Sequence, residues 1–209
     1  MGRTLRQDGF VTSGPLGAGL TVEMLAAGVQ HAYQVLDAID ERLLENDSPR
    51  LAGLVELANL STIVGNLLAM GIVNACDGVF SRAGPHKYQD LRATDSNPDA
   101  QNIEIKVALE TNSPKGHLPK VGHYLTCRYV LGNQKGCCVA GRRGDVVWIW
   151  ELRFGHLDQH HFTTSSTPGD SGKTAVVNKD GMAALRVAYV DMGICPYGPR
   201  SQYRKQQSF

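Results

Sequence analysis

The chain has 209 residues, 42% of them apolar and 20% charged, with a net charge of +1. That balance fits one globular domain with a full core and excludes collagen-like, low-complexity and disulfide-scaffold classes. Charge is uneven along the chain. Residues 1–80 hold four basic against nine acidic side chains, a balance of −5, and residues 81–209 hold +6. Such asymmetry is compatible with a nucleic-acid surface on the second part. The five cysteines are odd in number and lack a C-x-x-C pair, so they read as reduced thiols of a cytoplasmic protein. Adjacent Cys137 and Cys138 do not have a zinc spacing. The N-terminus shows no basic-then-apolar secretory pattern.

Residues 1–20 are rich in glycine and turn formers and predict a surface loop. Thr21 is an N-cap for a long helix ending near Asn46, with Val22, Leu25, Val29, Ala32, Leu36, Ile39 and Leu43 as its apolar face. Asp37, Asp40 and Glu41 lie off that stripe. Ser48-Pro49 then predicts a second start, Ser as cap and Pro at the first helical position. This second helix runs from about Arg50 to Asn74, apolar on most sides and therefore buried, with Glu56 as its one acid. The apolar run from Leu60 to Cys76 is too polar and slightly too short for a membrane span, so no membrane partner is expected.

From residue 79 the period changes to short strands between turns. Val79-Phe80 and 86–91 are weak candidates. Residues 102–109 form a strong one, with Ile103, Ile105 and Val107 alternating against Glu104, Lys106 and Ala108. Further strands are expected at 124–131 and 146–154, with turns at 133–136 and 141–144. Residues 175–178 and 185–190 are two more candidates. The tail after Pro196 carries Arg200, Arg204 and Lys205 and predicts a loose basic arm. The chain is thus read as one domain: a helical part at 1–78, a sheet-containing part at 79–195 and a basic tail at 196–209.

The segment that carries chemistry is 86–91 followed by Asn102-Ile103-Glu104-Ile105-Lys106-Val107. Residues two apart on a strand share a face, so Glu104 and Lys106 point together, away from the aliphatic side. A carboxylate and an ammonium on an apolar strand are costly to bury without partners, and a metal with a phosphate supplies them. Asp90, fourteen residues before Glu104, leaves room for a hairpin that sets the two carboxylates side by side. Such a pair suits a hard cation, Mg²⁺, and Lys106 suits a water or a phosphate charge. Asp99, next to Pro98, and Asp95 are the competing first carboxylates.

This pattern resembles the PD-(D/E)xK nuclease superfamily, carried by Asp90, Glu104-Ile105-Lys106 and Glu56 upstream, over about residues 50–110. Gln89 stands where the motif has Pro. The resemblance implies an α/β, restriction-endonuclease-like fold, a mixed central β-sheet flanked by helices. It implies catalysis by Asp90, Glu104, Lys106 and Glu56, and a metal held by Asp90, Glu104 and the Ile105 carbonyl. At this size the chain resembles a type II restriction endonuclease, a Mg²⁺-dependent enzyme cutting double-stranded DNA as a homodimer, with the first helix as the expected dimer face. The alternatives are a structure-specific or repair nuclease and a non-cleaving DNA-binding module. Two polar loops are expected against DNA: one with Asn112, Ser113, Lys115 and His117, the other with Ser171, Lys173 and Thr174.

Three other patterns point elsewhere. Gly169-Asp170-Ser171-Gly172 is like a serine-protease nucleophile segment, but that needs a His and a buried Asp in an all-β double barrel. Here the first seventy-odd residues read as helices, with the only His before residue 86, His31, inside one. Gly172-Lys173-Thr174 ends like a phosphate-binding loop, yet Thr167 stands where the first Gly belongs. His156, His160 and His161 fit a solvated or DNA-facing cluster better than a metal site, because adjacent residues on a strand point apart. Trp148 and Trp150 read as core.

Overall fold

A computed structural model describes residues 2–84, 88–137, 142–165 and 174–206. A short hairpin, β1 (Pro15–Gly17) and β2 (Leu20–Thr21), leads into α1 (Val22–Leu44). The Thr21 hydroxyl accepts the Met24 N–H at 3.3 Å, the N-cap its position predicts. The α1 face bearing Leu25, Val29, Ala32, Tyr33 and Leu36 is buried. The stripe then departs from expectation: Asp40 is buried, while Ile39 and Leu43 are half-exposed. Arg3 accounts for this. Its guanidinium donates to Asp37 and, at 2.6 Å, to Asp40, and its Nε donates to the Val147 carbonyl at 2.9 Å. A buried carboxylate is tolerated when it is paired and hydrogen-bonded in this way.

The single helix expected at 50–74 is two. α2 (Leu51–Leu54) stops at extended Val55, and Glu56 is the N-cap of α3 (Leu57–Asn74). Asp40 Oδ1 takes the Leu51 N–H at 3.0 Å, so the cap of α2 comes from α1 and not from Ser48. Nor is α3 buried all round. Leu60, Val64, Leu68, Ala69 and Ile72 pack inward, and Met70 and Leu57 are exposed. Its 18 residues have a mean hydropathy of 1.4, enough by length and composition for a membrane span; packed on α1 and on the sheet, it serves as a core helix. The helices meet at glycines. A Cβ on Gly71 would lie 2.8 Å from the Gly28 Cα and 3.0 Å from the Ala27 carbonyl.

The strands that follow are β3 (Phe80–Arg82), β4 (Leu91–Ala93), β5 (Ile103–Leu109), β6 (Lys115–His117) and β7 (Gly122–Gly132). After them come β8 (Val146–Leu157), β9 (Phe162–Ser165), β10 (Thr174–Val177), the short α4 (Lys179–Ala184) and β11 (Arg186–Val190). Six strands form a mixed sheet in the order β11-β8-β7-β5-β4-β3, in which β5 runs parallel to β7 and every other pair is antiparallel. The chain is therefore a mixed α/β protein. A second sheet, β6-β10-β9, joins segments that are far apart in sequence.

The helices cover one face of the large sheet. A Cβ on Gly65 of α3 would lie 3.1 Å from Val107 Cγ2, so the aliphatic side of β5 faces the helix. Glu104 and Lys106 face the other way, on the same side as Thr126, Arg128, Glu151 and Arg153 of the neighbouring strands. The tail docks on that side, unlike a loose arm. Tyr203 of α5 (Gln202–Gln206) donates to Glu151, which Arg128 and Arg153 bracket. Arg204 donates to the carbonyls of Met192, Cys195 and Tyr197 at 3.1, 2.8 and 2.7 Å.

Candidate active site

β4 pairs with β5 at Leu91↔Ile103, and the chain before Leu91 then diverges from β5. Asp90 and Glu104 stand inside this fork. Two hydrogen bonds cross it reciprocally. Gln89 N–H donates to Glu104 Oε2 at 2.8 Å, and Ile105 N–H donates to Asp90 Oδ2 at 2.8 Å. Each carboxylate thus takes the backbone donor that a continued ladder would have used. The N–H and C=O of one extended residue lie along the same strand edge. The Ile105 carbonyl therefore faces the fork beside Asp90. Two carboxylates and a carbonyl form an all-oxygen donor set, the kind Mg²⁺ takes. Among the described residues, Asp90 Oδ1 receives no hydrogen bond.

Lys106 donates its ammonium to Glu104 Oε1. Glu104 is 7% exposed, so this ion pair is largely out of water. Gly116 of β6 lies over the lysine stem: a Cβ there would sit 2.8 Å from Lys106 Cε and 3.3 Å from Nζ. β6 therefore confines the ammonium from above, and a side chain at 116 would displace the end of the lysine. On β7, Thr126 is the register partner of Lys106, with its hydroxyl buried and without a hydrogen bond among the described residues.

The fork opens into a cleft of about 520 Å³. One wall is the α3 face Ala58, Ser61, Thr62, Gly65 and Asn66; Asp90, Ile105, Lys106, Val107 and Lys115 supply the rest. Arg82 on β3 donates to the Asn66 carbonyl and side chain at 3.1 and 2.9 Å, tying that wall to the sheet. On the far side of Glu104, the Tyr88 and Tyr124 hydroxyls are 3.3 Å apart, and the Lys120 ammonium lies 3.7 Å above the Tyr88 ring. Burial raises the Tyr88 phenol above its ordinary pKa, and the Glu104 and Asp90 charges push the same way. The Tyr124 hydroxyl donates to the Lys120 carbonyl at 2.8 Å, so Tyr88 is the donor to Tyr124 and both phenol protons are committed.

The structure brings Asp90, Ile105, Lys106 and Lys115 into the cleft lining, and Glu104, outside that lining, is tied to it through Lys106 and the Gln89 N–H. Glu56 is exposed at the start of α3, outside the cleft lining. Asp95 and Asp99 lie exposed in the turn between β4 and β5, where Asp99 N–H bonds to Asn97 Oδ1 at 3.0 Å. Asn112, Ser113 and His117 are not part of the lining. His117 pairs with Thr174, so the two polar loops are joined through β6 and β10. Ser171 and Lys173 lie outside the described residues. The sequence reading missed Ser61, Thr62 and Asn66, whose signal was their spacing of one helical face within an apolar run. It also missed Lys120, which local pattern does not mark; Tyr88 and Gln89 lie in the segment 86–91 already singled out, where they had no role of their own.

Two other regions are distinct from this cleft. A largely apolar depression of about 620 Å³ lies on α1 along Val35, Ala38, Ile39 and Leu43. Asp158, His160 and His161 place ligand-type atoms within 4.8 Å of one another. The two imidazoles sit 3.9 Å apart on a 3₁₀ turn, where adjacent strand residues were expected to diverge. His161 Nδ1 accepts the Asp158 N–H at 2.9 Å. Its remaining nitrogen therefore carries the proton in the neutral ring, and the ring offers no second lone pair to a metal.

No family model matches the chain, and no curated protein matches it in sequence.

Proposed function

We propose that this chain is a Mg²⁺-dependent endonuclease of the PD-(D/E)xK type that hydrolyses phosphodiester bonds in double-stranded DNA, acting as a type II restriction enzyme with a restriction-endonuclease-like fold. The observation that carries this reading is the fork. It holds Asp90, Glu104 and the Ile105 carbonyl around one point, with the Lys106 ammonium against Glu104. Asp90, Glu104 and the Ile105 carbonyl are the residues that would hold the metal. A bound Mg²⁺ supplies Lewis-acid polarisation of a phosphate oxygen and a lower pKa for water. Lys106 hydrogen-bonds the attacking water or a non-bridging oxygen and offsets developing charge. Glu104 holds Lys106 in place by the ion pair. Lys115 at the cleft rim faces a neighbouring phosphate, and the α3 wall of small polar side chains admits a backbone closely.

Plasmid DNA incubated with the protein and Mg²⁺ tests this. Discrete fragments are expected, with loss of cutting in Glu104→Gln and Lys106→Ala at equal folded concentration. Losses of about 100-fold or more are the scale for such groups. Cutting confined to branched or damaged DNA would instead identify a structure-specific or repair nuclease. DNA binding without cutting would identify a binding module.

A further inference from the structure

Gln89 has φ +71°, in the left-handed region that a non-glycine residue adopts at a cost. It is the residue directly before Asp90, and its N–H is the donor to Glu104 Oε2. A proline at this position, as the motif has it, is locked near φ −65° and carries no N–H. It could make neither the turn nor the bond. We propose that the Gln89 backbone is a positioning device for the carboxylate pair: its left-handed turn aims the N–H at Glu104, so that one oxygen of Glu104 is fixed and the other is left to Lys106 and a metal.

Three observations meet here. The bond from Gln89 and the bond from Ile105 to Asp90 have the same length and opposite sense across the fork, so loosening one releases the register of the other. Tyr88, adjacent to Gln89, is pinned by the Tyr124 hydroxyl and the Lys120 ammonium, which over-determines the turn. Among the described residues no ladder partner supports Glu104 from β4, because the two strands pair at Leu91↔Ile103 alone. The inference rests on the metal-dependent reading above and adds a residue whose side chain is dispensable and whose backbone is not.

The experiment uses the full chain, with Tb³⁺ as the probe in place of Mg²⁺. Tyr88 and Tyr124 near Glu104 sensitise its luminescence. Gln89→Gly, which keeps the N–H and favours positive φ, is expected to titrate with Tb³⁺ as the parent does. Gln89→Pro is expected to weaken Tb³⁺ binding about 10–100-fold, the usual cost of losing a group that orients a metal ligand. Should the proline variant not fold, a backbone ester at residue 89 removes the N–H alone and is expected to give the same loss. Parental Tb³⁺ affinity in the folded proline or ester protein would overturn the proposal. So would loss of binding in Gln89→Gly. A parent that binds Tb³⁺ with this pattern of variants but cuts no DNA would keep the positioning role and remove the nuclease reading. A parent that takes up no Tb³⁺ would overturn both.

Discussion

Thr126 faces the same side of the sheet as Lys106, one strand away, and its hydroxyl is buried without a partner among the described residues. Leaving a hydroxyl unpaired inside a protein costs about 1–3 kcal/mol, and an apolar group of the same shape removes that cost. Thr126→Val is therefore expected to raise stability by about 1 kcal/mol. The measurement is the denaturation midpoint, which should rise at unchanged slope. A fall of similar size would mean that the hydroxyl holds a buried water. At this scale the shared face of Glu104 and Lys106 was readable in advance, because it needs only the two-residue alternation of a strand. The choice of Asp90 over Asp95 and Asp99 rested on hairpin length, and the structure places only Asp90 in the fork.

At the scale of elements, the cleft depends on how closely α3 approaches α1 and β5. Gly71 and Gly28 let the two helices touch backbone to backbone. Alanine at 71 would meet the Gly28 Cα, the Ala27 carbonyl and the His31 Cβ at 3.0 Å or less. None of these is the end of a flexible chain. Gly71→Ala is expected to cost about 1–3 kcal/mol, the range for overpacking, despite the better helix propensity of alanine. Thermal melting of the variant checks the stability. A raised KM for DNA would show that the displaced α3 has carried the wall at Ser61, Thr62 and Asn66 with it. Alanine at exposed Gly53 of α2 is the control: a Cβ there meets only the Pro49 Cβ, at 3.4 Å.

For the whole molecule, the −5 and +6 balances fall on different layers. The acidic residues 1–80 supply the helices behind the sheet, and the basic remainder supplies the sheet and the cleft rim. Binding of DNA on the cleft side releases condensed counterions, so log K should fall linearly with log salt, by about 0.9 for each phosphate neutralised. Measured with Ca²⁺ in place of Mg²⁺ to hold back turnover, the parent is expected to show a steep slope. Lys115→Ala is expected to flatten it by about one unit. A flat parental response would leave the cleft without its proposed substrate.

What the sequence determined by itself was local in origin: the Thr21 cap, the first turns of α1, the alternation of β5, and the E-x-K pair on one face. Each follows from bonds or periods within a few residues, where backbone geometry has few choices. Tertiary contacts decided the rest. Asp40 is buried because Arg3 reaches it from 37 residues away, and α2 starts where Asp40 caps it. Lys115 to His117 form a strand only because Thr174 to Val176 lie alongside. Gln89 takes a left-handed turn because Glu104, across the fork, accepts its N–H. In each case the partner is distant in sequence and its contribution exceeds the small local preference it opposes, so no window of neighbouring residues contains the information.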